Sequence, residues 1–128
     1  MKLKGKAALV TGAGGGLGSA IAKRFAAEGA SVLCTDLELE KAEFTVTAIT
    51  KNGGTANALA ANVADSDDCE AQVDETIQRY GRIDIAVNNA GIALRRLALE
   101  TSLEDWQQVL DINLTGSFLT AKAAARHM

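Results

Sequence analysis

The chain has 128 residues, enough for one domain with a real core. Its apolar fraction of 48% is ordinary, and an aromatic fraction of only 4% calls for an aliphatic core of Val, Ile, Leu and Ala. A formal net charge of -3 leaves no basic footprint for nucleic acid, and no apolar stretch approaches the ~20 residues of a membrane span, so neither partner is expected.

The opening Met1-Lys2-Leu3-Lys4 has the charge of a secretory n-region, but the apolar run after it, Ala7 to Val10, is too short for an h-region. A cytoplasmic protein is therefore expected. Ala7 to Val10 instead reads as a strand buried on both faces. A glycine cluster follows, then a helical stretch from about Leu17 to Glu28. Leu17, Ile21 and Phe25 stand at i, i+4 and i+8 there, and Gly29 ends it. Ser31 to Thr35 is a second strand closed by Asp36. Ala42, Val46 and Ile49 mark the buried stripe of a second helix, stopped by Gly53-Gly54. Ala56 to Val63 is a weaker third strand.

Asp67-x-x-Glu70 resembles a capping box for a third helix with Val73, Ile77 and Tyr80 on its apolar face, ended by Gly81. Ile83 to Val87 is the fourth strand. After a longer loop, Ser102-x-x-Asp105 caps a last helix whose predicted inner face is Trp106, Val109, Leu110, Leu114 and Phe118. Cys34 and Cys69 show no metal spacing and read as small buried hydrophobes. His127 is a lone histidine next to the last residue. No metal site is expected.

Strands alternating with helices of this length imply right-handed crossovers and a parallel sheet with helices on both faces. Thr11-Gly12-Ala13-Gly14-Gly15-Gly16-Leu17-Gly18 lies between the first strand and the first helix. A dinucleotide needs its diphosphate against bare amides and a helix N-terminus, which this cluster supplies. Gly12 permits the tight turn, Gly16 a close approach, and Gly18 close packing of helix on strand. Asp36, eighteen positions after Gly18, closes the second strand, where a carboxylate can accept hydrogen bonds from both adenosine ribose hydroxyls. It would repel a 2′-phosphate, and neither Gly15 nor Leu37 offers a cation. NAD is therefore expected over NADP. Asp36 can equally serve as N-cap of the second helix.

With these residues in place, the sequence resembles the short-chain dehydrogenase/reductase family. The glycine spacing TGxxxGxG has that family's form. Asn62-Val63 stands where the family sets an Asn-Val or Asp-Val pair against the adenine. Ile83 to Gly91 resembles the family's fourth strand and its NNAG motif, and Asp111-Ile112-Asn113-Leu114-Thr115-Gly116 resembles the helix bearing its active-site asparagine.

The resemblance implies a Rossmann-type doubly wound α/β sheet in the order 3-2-1-4, truncated after four strands. Residues 1–128 would form a single NAD(P)-binding domain, incomplete at its C-terminal end. It implies cofactor contacts from Gly12, Gly14, Gly15, Gly16, Leu17, Gly18, Asp36, Leu37, Asn62, Val63, Asn89, Ala90 and Gly91. Asn88 would brace the sheet, and Asn113 would distort its helix and hold a water in the proton relay. The family also uses a Ser and a Tyr-x-x-x-Lys pair. The only tyrosine here is Tyr80, and Asp84 stands four places on.

An NAD-dependent alcohol/ketone oxidoreductase is thus expected by family, the 128 residues alone being inactive. The alternative is a non-catalytic dinucleotide-binding or assembly module acting as an oligomer or with a second chain. The open fourth strand and the apolar last helix lead us to expect a homo-oligomer.

Overall fold

The computed structural model describes residues 1–128. Four strands, β1 (Ala7–Val10), β2 (Ser31–Asp36), β3 (Thr55–Ala60) and β4 (Ile85–Val87), form one sheet in the order β3-β2-β1-β4. Every pairing is parallel: Ala7 lies opposite Ser31, Ser31 opposite Thr55, and Ala8 opposite Ile85. The helices are α1 (Gly16–Ala27), α2 (Leu39–Lys51), α3 (Ser66–Tyr80), α4 (Leu103–Leu110) and α5 (Gly116–Ala125). This is the doubly wound α/β arrangement that the alternation of elements required.

Side chains alternate across a strand, so each strand feeds two cores. Ala8, Val10, Val32 and Cys34 face Ala22, Ala26, Ala42 and Ile49 of α1 and α2. Leu9 and Leu33 face the other way, onto Val73 of α3 and Ala123 and Ala124 of α5. Both leucines are fully buried, and each such burial contributes about 1.5–3 kcal/mol. No helix is long and apolar enough to cross a membrane.

Several local expectations change. The face of α1 against the sheet is Gly18, Ser19, Ala22 and Ala26, while Leu17 is 76% exposed. Small residues let this helix lie close to the strands, and the larger Ile21 and Phe25 pack at the margin. The third strand ends at Ala60 and the fourth begins at Ile85. Asp65 caps α3, its carboxylate accepting from the amides of Asp67 and Asp68, so Asp67-x-x-Glu70 is not the cap. Ser102 does cap α4, accepting from the Asp105 amide at 3.0 Å.

The last helix is not one α-helix. A π-helical segment, Asp111–Thr115, separates α4 from α5. Wider turns there shift the face that follows. The buried residues are Gly116, Thr120, Ala123 and Ala124, whereas Trp106, Leu114 and Phe118 are each more than half exposed.

Candidate functional site

The carboxyl ends of four parallel strands meet on one side of the molecule, and the loops leaving them enclose two adjoining hollows of about 330 and 420 Å³. Such a crevice is where ligands bind in open α/β sheets. Gly12, Asp36, Leu37, Asn62, Val63, Ala90 and Gly91 all line the first. Gly14, Gly15 and Asn89 join Gly12 and Asp36 around the second.

The glycine loop owes its shape to close approaches. Gly12 has φ +61, and a Cβ there would meet the Ala90 Cα at 2.9 Å. A Cβ on Gly18 would lie 2.2 Å from the Gly12 carbonyl oxygen and 2.5 Å from Asn89 Nδ2. Gly18 is thus a buried spacer behind the loop and not part of its open wall. Gly15 and Gly16 are the reverse: a Cβ at either would meet nothing within 4 Å. Leu17 projects outward beside them and lines neither hollow.

Gly16 to Gly18 form the first turn of α1, whose amides have no earlier turn to pair with. Pairing with the loop begins at Ser19, whose amide donates to the Gly15 carbonyl at 3.2 Å. The unpaired amides and the positive helix end suit a diphosphate, and the open space over Gly15 and Gly16 admits it. The residues present therefore fit a dinucleotide.

The loop is braced by Asn89. Its Nδ2 donates to the carbonyls of Thr11 and Gly12, both at 3.1 Å. Thr11 Oγ1 accepts from the amides of Asn89 (3.1 Å) and Ala90 (3.0 Å) and donates to the Val87 carbonyl (3.3 Å). The bracing expected of Asn88 thus belongs to the Asn89 side chain, and Asn88 is exposed. Beneath the loop, buried Thr45 donates to the Ala13 carbonyl at 2.7 Å and meets Ser19 Oγ at 3.0 Å.

Asp36 faces the loop. One carboxylate oxygen accepts from the Gly14 amide at 3.0 Å and the other from the Glu38 amide at 3.2 Å. Glu38, not Asp36, is the N-cap of α2. Lys41 shares both hollows with Asp36 and pairs with Glu38 at 2.8 Å. The Glu38 hydrogen bond and charge, with a further contribution from Asp36, raise the Lys41 pKa and hold it charged.

Asn62 Oδ1 accepts from the Ala64 amide at 3.0 Å, which leaves its NH₂ and the second lone pair of the oxygen for an adenine edge. Asn113 lies in the π-helical segment, as its expected distortion of the helix requires. Its Oδ1 accepts from the Ile92 amide and its Nδ2 donates to the Ile92 carbonyl, both at 2.8 Å. Asn113 does not line either hollow but clamps Ile92, which does.

Sequence reasoning misses Lys41, Ile92, and the bracing roles of Thr11 and the Asn89 side chain. The one signal for Lys41 is a cation one helical turn past Glu38, a spacing common on solvated helix faces.

Residues 6–128 match the sequence family described as short chain dehydrogenase. The chain is 42% identical to D-threitol dehydrogenase of Mycolicibacterium smegmatis, over 99% of its own length and 49% of the relative's. It is 45% identical to a 3-oxoacyl-[acyl-carrier-protein] reductase of Synechocystis sp., over 98% of its length and 51% of the relative's. A short chain dehydrogenase from Burkholderia cenocepacia, solved in complex with NADP, superposes with a TM-score of 0.95 at 40% identity, covering 100% of this chain and 53% of that one. The chain spans about half the length of the curated relatives it matches.

The NADP complex overturns the expectation of NAD over NADP drawn from Asp36. Asp36 alone does not settle the choice: its oxygens accept from the Gly14 and Glu38 amides, and a cation, Lys41, lines the same hollows.

Proposed function

Because this chain belongs to the short-chain dehydrogenase family, we propose that residues 1–128 are the dinucleotide-binding domain of an NADP-using alcohol/ketone oxidoreductase. The observation that carries this reading is the open face of the glycine loop, where Gly15 and Gly16 leave the first amides of α1 uncovered. Those amides would hold the diphosphate. Asp36 and Leu37 would line the adenosine ribose, Asn62 and Val63 the adenine, and Ala90 and Gly91 the nicotinamide ribose. When bound, the dinucleotide supplies the hydride donor or acceptor. Asn113 acts here as a positioning residue, fixing Ile92 over the pocket.

The chain's own part is binding and not proton transfer. Tyr80 is followed at the fourth place by Asp84, and its hydroxyl is within hydrogen-bond distance of the Val32 carbonyl (3.0 Å) and Asn57 Oδ1 (2.9 Å). Burial, then the neighbouring Cys34, push its pKa to about 12, so it is neither a base nor placed as one. This observation also favours the second reading, a non-catalytic dinucleotide-binding or assembly module, for these 128 residues taken alone.

A homo-oligomer joined through exposed Trp106, Leu114 and Phe118 goes with either reading. The cytoplasm is the proposed location, since both cysteines are free thiols.

Calorimetric titration of the folded chain with NADP tests the proposal. Saturable binding at one site per chain is expected. A chain with native circular dichroism that shows no saturable heat into the millimolar range would refute it.

A further inference from the structure

We propose that Asn52 is a site of spontaneous chemical modification, its side-chain amide turning into an acid through attack by the Gly53 main-chain nitrogen, and that the last turn of α2 holds the reaction off while it stays wound.

Of the six asparagines, only Asn52 precedes a glycine. The attacking nitrogen of a glycine is open, because no Cβ stands beside it. Asn52 and Gly53 are both exposed, and Gly53, at φ +82, has nothing within 4 Å of where a Cβ would lie. The Gly53 nitrogen gives its proton to water and bonds to Asn52 Cγ. The Cγ–Nδ2 bond breaks and ammonia leaves, so that a cyclic imide forms. Water then opens the imide at one of its two carbonyls. One opening yields aspartate. The other yields isoaspartate, in which the main chain runs through the side-chain carbon. The net change is amide plus water to acid plus ammonia, with nothing oxidised or reduced.

The folded geometry keeps the reacting groups apart. Asn52 Nδ2 donates to the Ala48 carbonyl at 3.1 Å, which lays the side chain back along the helix. The Gly53 N–H donates to the Thr50 carbonyl at 3.0 Å, which holds the proton on the nitrogen. Both bonds belong to the end of α2 and are lost together when it frays, and helix ends open more readily than interiors. Conversion also leaves a mark on the fold. A carboxylate at the cap position puts negative charge at a helix C-terminus, where the dipole disfavours it, and removes the donor to Ala48. Isoaspartate lengthens the main chain just before Gly54. The Gly54 amide donates to the Ile49 carbonyl at 3.0 Å, and a Cβ there would meet Ile49 Cγ2 at 2.7 Å. That junction has no slack, and it leads directly into β3.

The test ages the whole chain in the same buffer, folded and in denaturant, and locates the amide-to-acid change by peptide mapping with mass spectrometry. Residue 52 is expected to convert before any other asparagine, and about tenfold more slowly in the folded chain, since two hydrogen bonds must open together. Asn52→Gln, which would need a larger ring, is expected to leave its peptide unconverted over the same time. Asn52→Asp, the acid already in place, is expected to melt about 2–5 °C below the wild type. Residue 52 is exposed, so both variants are expected to fold, which circular dichroism checks. A denatured chain that converts first at another asparagine would overturn the site. Equal rates in the folded and denatured chains would overturn the protection given to α2, and an Asn52→Asp variant that melts with the wild type would overturn the effect on the helix.

Discussion

At Gly18 the nearest atoms to an added Cβ are backbone and a braced amide, the Gly12 oxygen at 2.2 Å and Asn89 Nδ2 at 2.5 Å. Neither can retreat, because Asn89 holds the loop to β1 and the end of β4. Gly18→Ala should therefore cost about 1–3 kcal/mol of stability, as overpacking does, and should weaken NADP binding by reshaping the loop. Gly15→Ala is the matched control. It has extended backbone and nothing within 4 Å, so stability should stay within about 0.5 kcal/mol while the new methyl obstructs the diphosphate. Denaturant melts of the two variants check this, and equal losses of stability would contradict it. The spacing of the glycines makes this loop legible in the amino-acid sequence. What spacing does not carry is the partner across the fold: Asn89 lies 78 residues from Thr11, and Lys41 looks like any helix-surface lysine until β2 brings it to the pocket.

Elements are joined by polar contacts as well as by the two cores. Thr35 on β2 donates to Gln72 Oε1 at 2.8 Å, and Gln72 Nε2 on α3 donates to Thr120 on α5 at 3.0 Å, all three side chains being buried. This chain of bonds fixes α3 and α5 to the sheet at one register. Gln72→Leu keeps the bulk but strands two hydroxyls, and should cost about 1–3 kcal/mol per stranded group. Thermal melts measure the loss, and a variant as stable as wild type would contradict the assignment.

The same region shows where patterning misleads. Strands β1 and β2 are plain from their apolar runs, and α3 from its spacing and its terminal Gly81. Gln72, Thr76 and Thr120 escape such a reading because polar residues are the usual mark of a solvated face, and here they are interior. Trp106, Leu114 and Phe118 suggest an inner face on hydrophobicity alone. The extra width of the Asp111–Thr115 segment turns α5 so that its small residues meet the sheet. A regular 3.6-residue period cannot register such a break.

The whole molecule should lose stability at both ends of the pH scale. Burial pushes the Cys34 thiol from 9.0 to about 12, and burial with the neighbouring Cys34 pushes Tyr80 from 10.0 to about 12. The folded chain keeps these protons where the unfolded chain releases them, so stability falls as pH climbs from about 9 toward 12. Asp84 acts in the opposite sense. The Arg82 fork and the Ala7 amide, with Lys6, lower its pKa below 3.8, so its contribution is present above that value and is lost as pH falls through the folded value. Melting temperatures across pH 3 to 11 should show a plateau with shoulders at each end. Cys34→Ala should soften the alkaline one, and an unchanged alkaline limb in that variant would contradict the role given to Cys34.

On the proposed reading, the first amides of α1 grip the diphosphate of a dinucleotide, and amide-resolved NMR of the chain titrated with NADP is the measurement that bears on it. The largest shifts are expected at Gly14 to Ser19, with smaller ones at Asp36, Asn62 and Gly91. Saturation with NADP that leaves the loop amides in place, or that moves only residues on the α3 and α5 face, would contradict it.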